Sequence, residues 1–140
     1  IHGGDNPNRI CGHCEMHIDL RPLPGMAIDE LREDMHKRLN LRIADSGLRI
    51  EYLPLFDGIP AMETDGDAAI VKVTEKLTGY SSQAVAFGTE GPYFNNMGMD
   101  TVILGPGSID QAHQPDEYLA LDQIKPGVQL IKNLINHFCL

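Results

Sequence analysis

The residues with the most evident chemical potential lie in the loop formed by residues 105–118, which contains His113 and several carboxylates. A short, mostly β-branched run at 101–104 predicts a buried strand that leads into Gly-Pro-Gly at the start of this loop. Ligand sites in open α/β sheets lie beyond the carboxyl ends of strands. A neutral imidazole oriented by neighbouring carboxylates is a common metal ligand. On these residues alone a metal site is the less frequent interpretation, because a lone loop histidine is usually a surface residue.

Four short segments, taken in order along the chain, raise the weight of the metal interpretation. Residues 8–11, 19–25, 87–91 and 105–118 each resemble a segment of the co-catalytic zinc amidohydrolases, a family of deacetylases, desuccinylases, aminoacylases and carboxypeptidases. The resemblance covers nearly all 140 residues. It implies an amide hydrolase with two zinc ions, with cobalt as the alternative metal, that lower the pKa of a shared water.

The same resemblance implies a role for each of five residues. His113 would be the one metal ligand in these residues, and Arg21 would reach from a lid domain to the substrate carboxylate. Asn8, Gly88 and Thr89 would line the substrate pocket. The catalytic base and the other metal ligands of the family have no counterpart in the sequence, so we expect these 140 residues alone to be inactive. One histidine cannot hold a catalytic zinc, which needs about three protein ligands.

Without the resemblance, each of these residues has a simpler interpretation. Arg21 would form a surface salt bridge, because exposed ion pairs are common and contribute little. Asn8 would be a turn residue, and Thr89 would begin a short helix as its N-cap. Glu117, four residues after His113, is expected to have a structural role rather than to bind the metal directly.

The resemblance implies removal of the acetyl group from N-acetylornithine in arginine biosynthesis, with a small N-acyl amino acid as the partner molecule. A related N-acyl amino acid hydrolase, such as one acting on succinyl-diaminopimelate, uses the same framework. The alternative of a different class is a non-catalytic dimerisation or binding module. The upstream reading frame separates the two classes, since a His-x-Asp segment and a Glu-Glu pair there would favour the hydrolase. The missing initial methionine suggests that the chain starts inside a longer protein.

Bulk composition excludes several other classes of protein. The formal net charge of -9 argues against a nucleic-acid surface and against an anionic membrane. No apolar run is long enough to span a bilayer, and no signal peptide is visible. Three cysteines are few and odd in number, which indicates a reducing compartment and hence a cytoplasmic location.

The pattern along the chain predicts an α/β fold in two parts. Residues 1–57 are expected to be the C-terminal half of an α+β lid and homodimerisation domain, built as strand–helix–strand. Residues 58–140 are expected to be the C-terminal segment of an α/β metal-binding catalytic domain. Helices are predicted at 27–40, 67–78, 91–97 and from Pro126 onward, and strands at 10–20, 48–53, 84–86 and 101–104.

The motif Cys11-Gly-His-Cys14 matches that of disulfide oxidoreductases. Alternation over 10–20 predicts instead a half-buried strand, with an apolar face formed by Ile10, Cys14, Met16, Ile18 and Leu20. Residues three apart in a strand point to opposite faces. We therefore expect Cys14 to be buried, Cys11 to lie on the polar face, and the pair to share neither a disulfide nor a metal.

Overall fold

A computed structural model describes all 140 residues. It contains four α-helices, one 3-10 turn and a single two-stranded sheet, so the chain mixes α and β structure. The helices are α1 (Ile28–Ile43), α2 (Ala69–Thr78), α3 (Gly91–Asn96) and α4 (Leu121–Cys139), with the 3-10 turn at Ile109–Gln111. The strands are β1 (His2–Gly3) and β2 (Cys14–Glu15), which pair in antiparallel fashion.

The hairpin formed by β1 and β2 replaces the longer strand expected at 10–20, and that expectation was wrong. Only Cys14–Glu15 of this segment is a strand, because only His2–Gly3 offers it a hydrogen-bonding partner. Beyond the pair, Gly4 N–H donates to the His13 carbonyl at 3.0 Å. The predicted buried face is exposed in the structure, with Ile10 fully so. The other members of this face are Cys14, Met16, Ile18 and Leu20.

Helix α1 contacts the segment that follows it through Tyr52 and Phe56. Its prediction is confirmed, and the helix continues to Ile43, three residues further than expected. The Tyr52 ring stacks on His36 with a centroid distance of 3.8 Å, and its hydroxyl donates to the His36 carbonyl at 3.3 Å. Arg32 donates to the Phe56 carbonyl at 2.8 Å. The segment predicted as a strand at 48–53 has no strand partner and lies along α1 instead.

Helices α2 and α4 pack against each other, and few residues of the chain are buried. Helix α2 ends as predicted at Gly79, whose φ of 77° is left-handed and whose N–H donates to the Glu75 carbonyl at 2.8 Å. Val71 on α2 is one of three buried residues, with Gly91 and Pro92 at the start of α3. No helix is long and apolar enough to cross a membrane.

Helix α4 differs from its prediction in two respects. It begins at Leu121, so Pro126 lies inside the helix rather than opening it. Pro126 is the sixth residue of the helix and has no N–H, so it removes the helical hydrogen bond to the Asp122 carbonyl. Its apolar residues were expected to face inward, but they are roughly half exposed, because α2 is the only helix that packs on α4. These residues are Val128, Ile131, Ile135 and Phe138.

The predicted strands at 84–86 and 101–104 also have no strand partner. Residue 101 is instead joined to a distant loop by two hydrogen bonds. The Thr64 hydroxyl donates to the Thr101 carbonyl at 2.6 Å and accepts from the Thr101 N–H at 3.2 Å. These bonds fix the segment that precedes the His113 loop.

Candidate functional site

Arg21 connects the N-terminal part of the chain to the segment that contains Gly88 and Thr89. Its guanidinium donates through Nη1 to the Ala86 carbonyl, across 65 residues of sequence. Its Nε donates to the Asp19 carboxylate at 3.1 Å. The salt bridge expected from the residues alone is therefore present, together with a contact that the residues did not indicate. Nη2 has no protein partner, and the side chain is 63% exposed, so one arm of the guanidinium remains available to a ligand.

Thr89 lies at a closely packed helix start. Its hydroxyl accepts from the Gly91 N–H at 3.0 Å, although the residue in the N-cap position is Glu90. A Cβ atom at Gly91 would lie 2.9 Å from Met62 Sδ and 3.1 Å from Ile103 Cδ1. The backbone at Gly91 therefore packs closely on these two side chains, next to the half-buried Thr89. The Thr89 hydroxyl proton stays free to donate to a ligand.

The His113 loop has a different character. His113 is exposed and has a φ of 60°, and Asp116 has a φ of 62°. Left-handed backbone is uncommon for residues other than glycine and costs about 1–3 kcal/mol. The His113 N–H donates to Glu117 Oε2 at 3.1 Å, which agrees with the structural role expected for Glu117. The imidazole itself makes no hydrogen bond, so it is unengaged and available to a ligand.

The residues of this chain do not by themselves form a metal site. No group of three or more His, Cys, Asp or Glu side chains is arranged to hold an ion. Glu117, four residues after His113, accepts from the backbone of His113. His113 can therefore contribute at most one ligand, which is fewer than the three that a catalytic zinc needs.

The sequence profile of peptidase family M20/M25/M40 matches residues 5–137, which is nearly the whole chain. The chain belongs to this family. The resemblance described from the four segments is thereby confirmed.

Relatives of this M20 chain share a common name. It is 45% identical over 139 residues to a protein of Edwardsiella ictaluri named acetylornithine deacetylase. Proteins of the same name from Aliivibrio fischeri and Vibrio vulnificus are 44% and 45% identical over 139 residues. In each case the match covers 99% of this chain but 36% of the relative. The chain thus spans about a third of the length of the curated relatives that it matches.

A large open concavity in this M20 chain brings together some of the predicted site residues and not others. Arg21, Gly88, Thr89 and Glu117 line a space of about 3290 Å³. Small-molecule pockets are typically about 300–1,000 Å³, so this space is too wide to hold one substrate by itself. His113 does not line it.

Asn8 also lies outside the concavity, in the loop of the hairpin. Its N–H donates to Asn6 Oδ1 at 2.9 Å, and its side chain makes no hydrogen bond. This is the turn geometry that the Asn-Pro-Asn sequence predicts without the family resemblance.

Two carboxylates in the chain have a lowered pKa. A hydrogen bond from His17 at 2.9 Å lowers the pKa of Glu15, with the charges of His17, His13 and His2 adding to the effect. Hydrogen bonds from the Ser82 N–H and hydroxyl, both at 2.8 Å, lower the pKa of Glu75. Neither carboxylate is buried, so they identify polar contacts rather than a buried acid or base.

Sequence reasoning missed the contacts that hold the site segments. The Arg21 bond to Ala86 involves a backbone carbonyl, and every residue has one, so residue types carry no signal for it. The packing of Gly91 on Met62 and Ile103 had a weak signal, since Gly-Pro at a helix start often permits close backbone approach.

Proposed function

We propose that this chain is part of a metal-dependent amide hydrolase that removes the acetyl group from N-acetylornithine. The observation that carries the proposal is identity of 44–45% over 99% of the chain to proteins named acetylornithine deacetylase. Such identity, spread over the whole chain rather than over one motif, favours a shared reaction and not only a shared fold.

The arrangement of Arg21 and Thr89 supports a substrate-binding role for this chain. Arg21 presents an unpaired Nη2 beside the segment that holds Gly88 and Thr89. We propose that the guanidinium binds the α-carboxylate of the substrate, since its charge and planar geometry match a carboxylate. The Thr89 hydroxyl and the Gly88 backbone would complete the polar wall. Asn8 would join them only if the hairpin loop folded toward the concavity.

His113 would contribute one metal ligand, with the remaining ligands and the general base supplied by residues outside this sequence. Its imidazole is exposed and unengaged, which suits that role. Zinc is the metal we propose, as two ions with cobalt as a substitute, because imidazole is one of the ligands zinc prefers. The described residues therefore account for substrate binding and one ligand, and not for the hydrolytic step.

We further propose that residues 1–57 belong to a lid through which the enzyme forms a homodimer, and that residues 58–140 belong to the catalytic domain. Exposure of Met16, Ile18 and Leu20 supports an interface in the first part, because these apolar side chains have no cover within the chain. A cytoplasmic location follows from the proposed role in amino-acid biosynthesis.

The test is an assay of the protein expressed from its complete reading frame, loaded with zinc. We expect it to release ornithine from N-acetylornithine at least about tenfold faster than it releases succinate from N-succinyl-diaminopimelate. The reverse preference would indicate a desuccinylase. Release of neither product, from a reading frame that lacks the upstream His-x-Asp and Glu-Glu segments, would leave a non-catalytic module as the function.

A further inference from the structure

The hairpin of β1 and β2 brings the sulfur atoms of two cysteines close to Gly3. Gly3 pairs with Cys14 across the sheet, and Cys11 lies in the loop just before β2. A Cβ atom built on Gly3 would lie 3.3 Å from Cys14 Sγ and 3.4 Å from Cys11 Sγ. Both sulfur atoms therefore approach the same point in space, which the missing side chain of Gly3 leaves open.

This arrangement contradicts the expectation that Cys11 and Cys14 point to opposite faces. That expectation required a continuous strand through both residues, but the strand begins only at Cys14. Cys11 belongs to the bend around Gly12, which turns its side chain toward Gly3. The Cys11 thiol donates to the His13 carbonyl at 2.8 Å, and both thiols are free and exposed. A soluble oxidant can therefore reach either sulfur.

A metal does not account for the pair. Histidines and a carboxylate lie near it, but His17 is hydrogen-bonded to Glu15 at 2.9 Å, and no three ligating side chains converge. What remains is two thiols in a short loop, separated in sequence by a glycine and a histidine, with both sulfur atoms close to Gly3. We propose that Cys11 and Cys14 form a site of reversible intramolecular disulfide formation. The site is independent of the proposed hydrolase activity.

Glutathione disulfide is the class of oxidant that the reaction requires. One cysteine thiolate attacks a glutathione sulfur, forming a mixed disulfide and breaking the glutathione S–S bond. The second cysteine thiolate then attacks the protein sulfur of the mixed disulfide and displaces the second glutathione. The two protein thiols lose two protons and two electrons, which reduce one glutathione disulfide to two glutathione thiols. An excess of reduced glutathione reverses both steps.

The experiment treats the full chain with glutathione disulfide, followed by acid quenching, alkylation and mass spectrometry of tryptic peptides. Trypsin cleaves after Arg9 and Arg32 but not at the Arg21–Pro22 bond, so peptide 10–32 contains Cys11 and Cys14 and no other cysteine. We expect this peptide to lose two hydrogens, with a mixed disulfide roughly tenfold less abundant, because closure is intramolecular. Single substitutions Cys11→Ser and Cys14→Ser should instead accumulate the glutathione adduct.

Two glycine variants separate the proposed geometry from simple thiol reactivity. Gly3→Ala places a methyl group 3.3 Å from Cys14 Sγ and 3.4 Å from Cys11 Sγ, and this crowding should slow closure severalfold, so that the mixed disulfide accumulates. Gly12→Ala is the matched control, because a Cβ there meets no atom within 4 Å. Circular dichroism before oxidation checks that the variants keep the fold. Persistent glutathione adducts, or unmodified thiols, in the unsubstituted peptide 10–32 would overturn the proposal. Equal closure rates in Gly3→Ala and the unsubstituted chain would overturn its geometric basis.

Discussion

The segment that carries Thr89 and the loop that carries His113 are held by opposite means. Thr89 adjoins buried Gly91 and Pro92, and Gly91 leaves no room for a side chain between Met62 and Ile103. His113 is exposed, has left-handed backbone, and is held only by its N–H bond to Glu117. Packing within the chain therefore fixes the proposed substrate-binding segment. The proposed ligand residue has no such support for its side chain.

This difference predicts different contributions from Thr89 and His113 to ligand binding. A side chain that packing holds in one rotamer is ready for a ligand without an additional entropic cost. An exposed imidazole loses rotamer freedom when it binds, and a bound ion would supply the free energy for that ordering. Substitutions at the first segment should thus change stability, whereas substitutions at the second should change ligand binding.

The largest effect is expected from removal of the His113 imidazole. His113→Gly should lower bound zinc by about one equivalent and reduce turnover by at least about 100-fold, because the remaining ligands cannot replace it. Stability without metal should not fall, since glycine adopts a φ of 60° without strain. Metal analysis, steady-state kinetics and a denaturation curve of the apoprotein measure the three quantities.

His137→Ala is the matched control for that variant, since His137 is an exposed histidine at the end of α4. It should leave zinc content and turnover unchanged. If His113→Gly kept its zinc and its turnover, the metal role of His113 would be wrong.

A smaller loss of activity is expected from Arg21→Lys. Lysine keeps the charge but lacks the planar group that can contact Ala86 and a carboxylate together. We expect kcat/KM to fall roughly tenfold for the carboxylate substrate and to change little for an analogue whose carboxylate is an amide. Arg42→Lys at the end of α1 is the control, because its side chain has no hydrogen bond or ion pair. An equal loss on both substrates would mean that Arg21 supports the segment at Ala86 and does not bind the ligand.

The sequence alone predicts those parts of the fold that depend on local pattern. Helices α1 and α2 follow from apolar periodicity, and α2 also from its end signal Gly79, whose left-handed φ ends the helix. The strands were less predictable, because alternation indicates a half-buried segment but does not show which other strand it pairs with. Apolar and polar side chains alternate along residues 48–53, yet this segment lies along α1, where the Tyr52 ring stacks on His36.

The same division holds for the candidate site. A threonine near a helix start predicts its own hydrogen bond to the following backbone, and Thr89 makes one. The bond between Arg21 and Ala86 joins residues 65 positions apart, so no local pattern could indicate it. The turn at Gly12 brings Cys11 toward Gly3 for a similar reason, since a long-range pairing with His2–Gly3 decides where the strand begins.

The Thr89 segment should lose stability when its close packing is disturbed. In Gly91→Ala, the new Cβ would meet Met62 Sδ at 2.9 Å and Ile103 Cδ1 at 3.1 Å. Overpacking of this kind typically costs about 1–3 kcal/mol, and the flexible Met62 side chain places the expected loss near the lower limit. Gly66→Ala is the control, because no atom lies within 4 Å of its Cβ position. Chemical denaturation of the full chain measures the difference. No loss relative to Gly66→Ala would contradict the close packing of Thr89.

The smallest effect concerns the pH dependence of the loop that follows α2. Glu75 accepts two hydrogen bonds from Ser82 across seven residues, and these lower the pKa of its carboxyl group in the folded chain. A lowered folded pKa stabilises the fold at pH values above the unfolded pKa, and this contribution disappears as the pH falls through the folded pKa. Stability should therefore decrease between neutral and acidic pH by slightly more in the unsubstituted chain than in Glu75→Gln. The effect stays small because the carboxylate is exposed and screened by solvent.

Glu63→Gln is the control variant, because Glu63 is an exposed glutamate without a hydrogen bond, and it should retain the full decrease. Denaturation midpoints at neutral pH and near pH 3 give the comparison, and an identical decrease in all three proteins would remove the Ser82 contact as a determinant of acid stability.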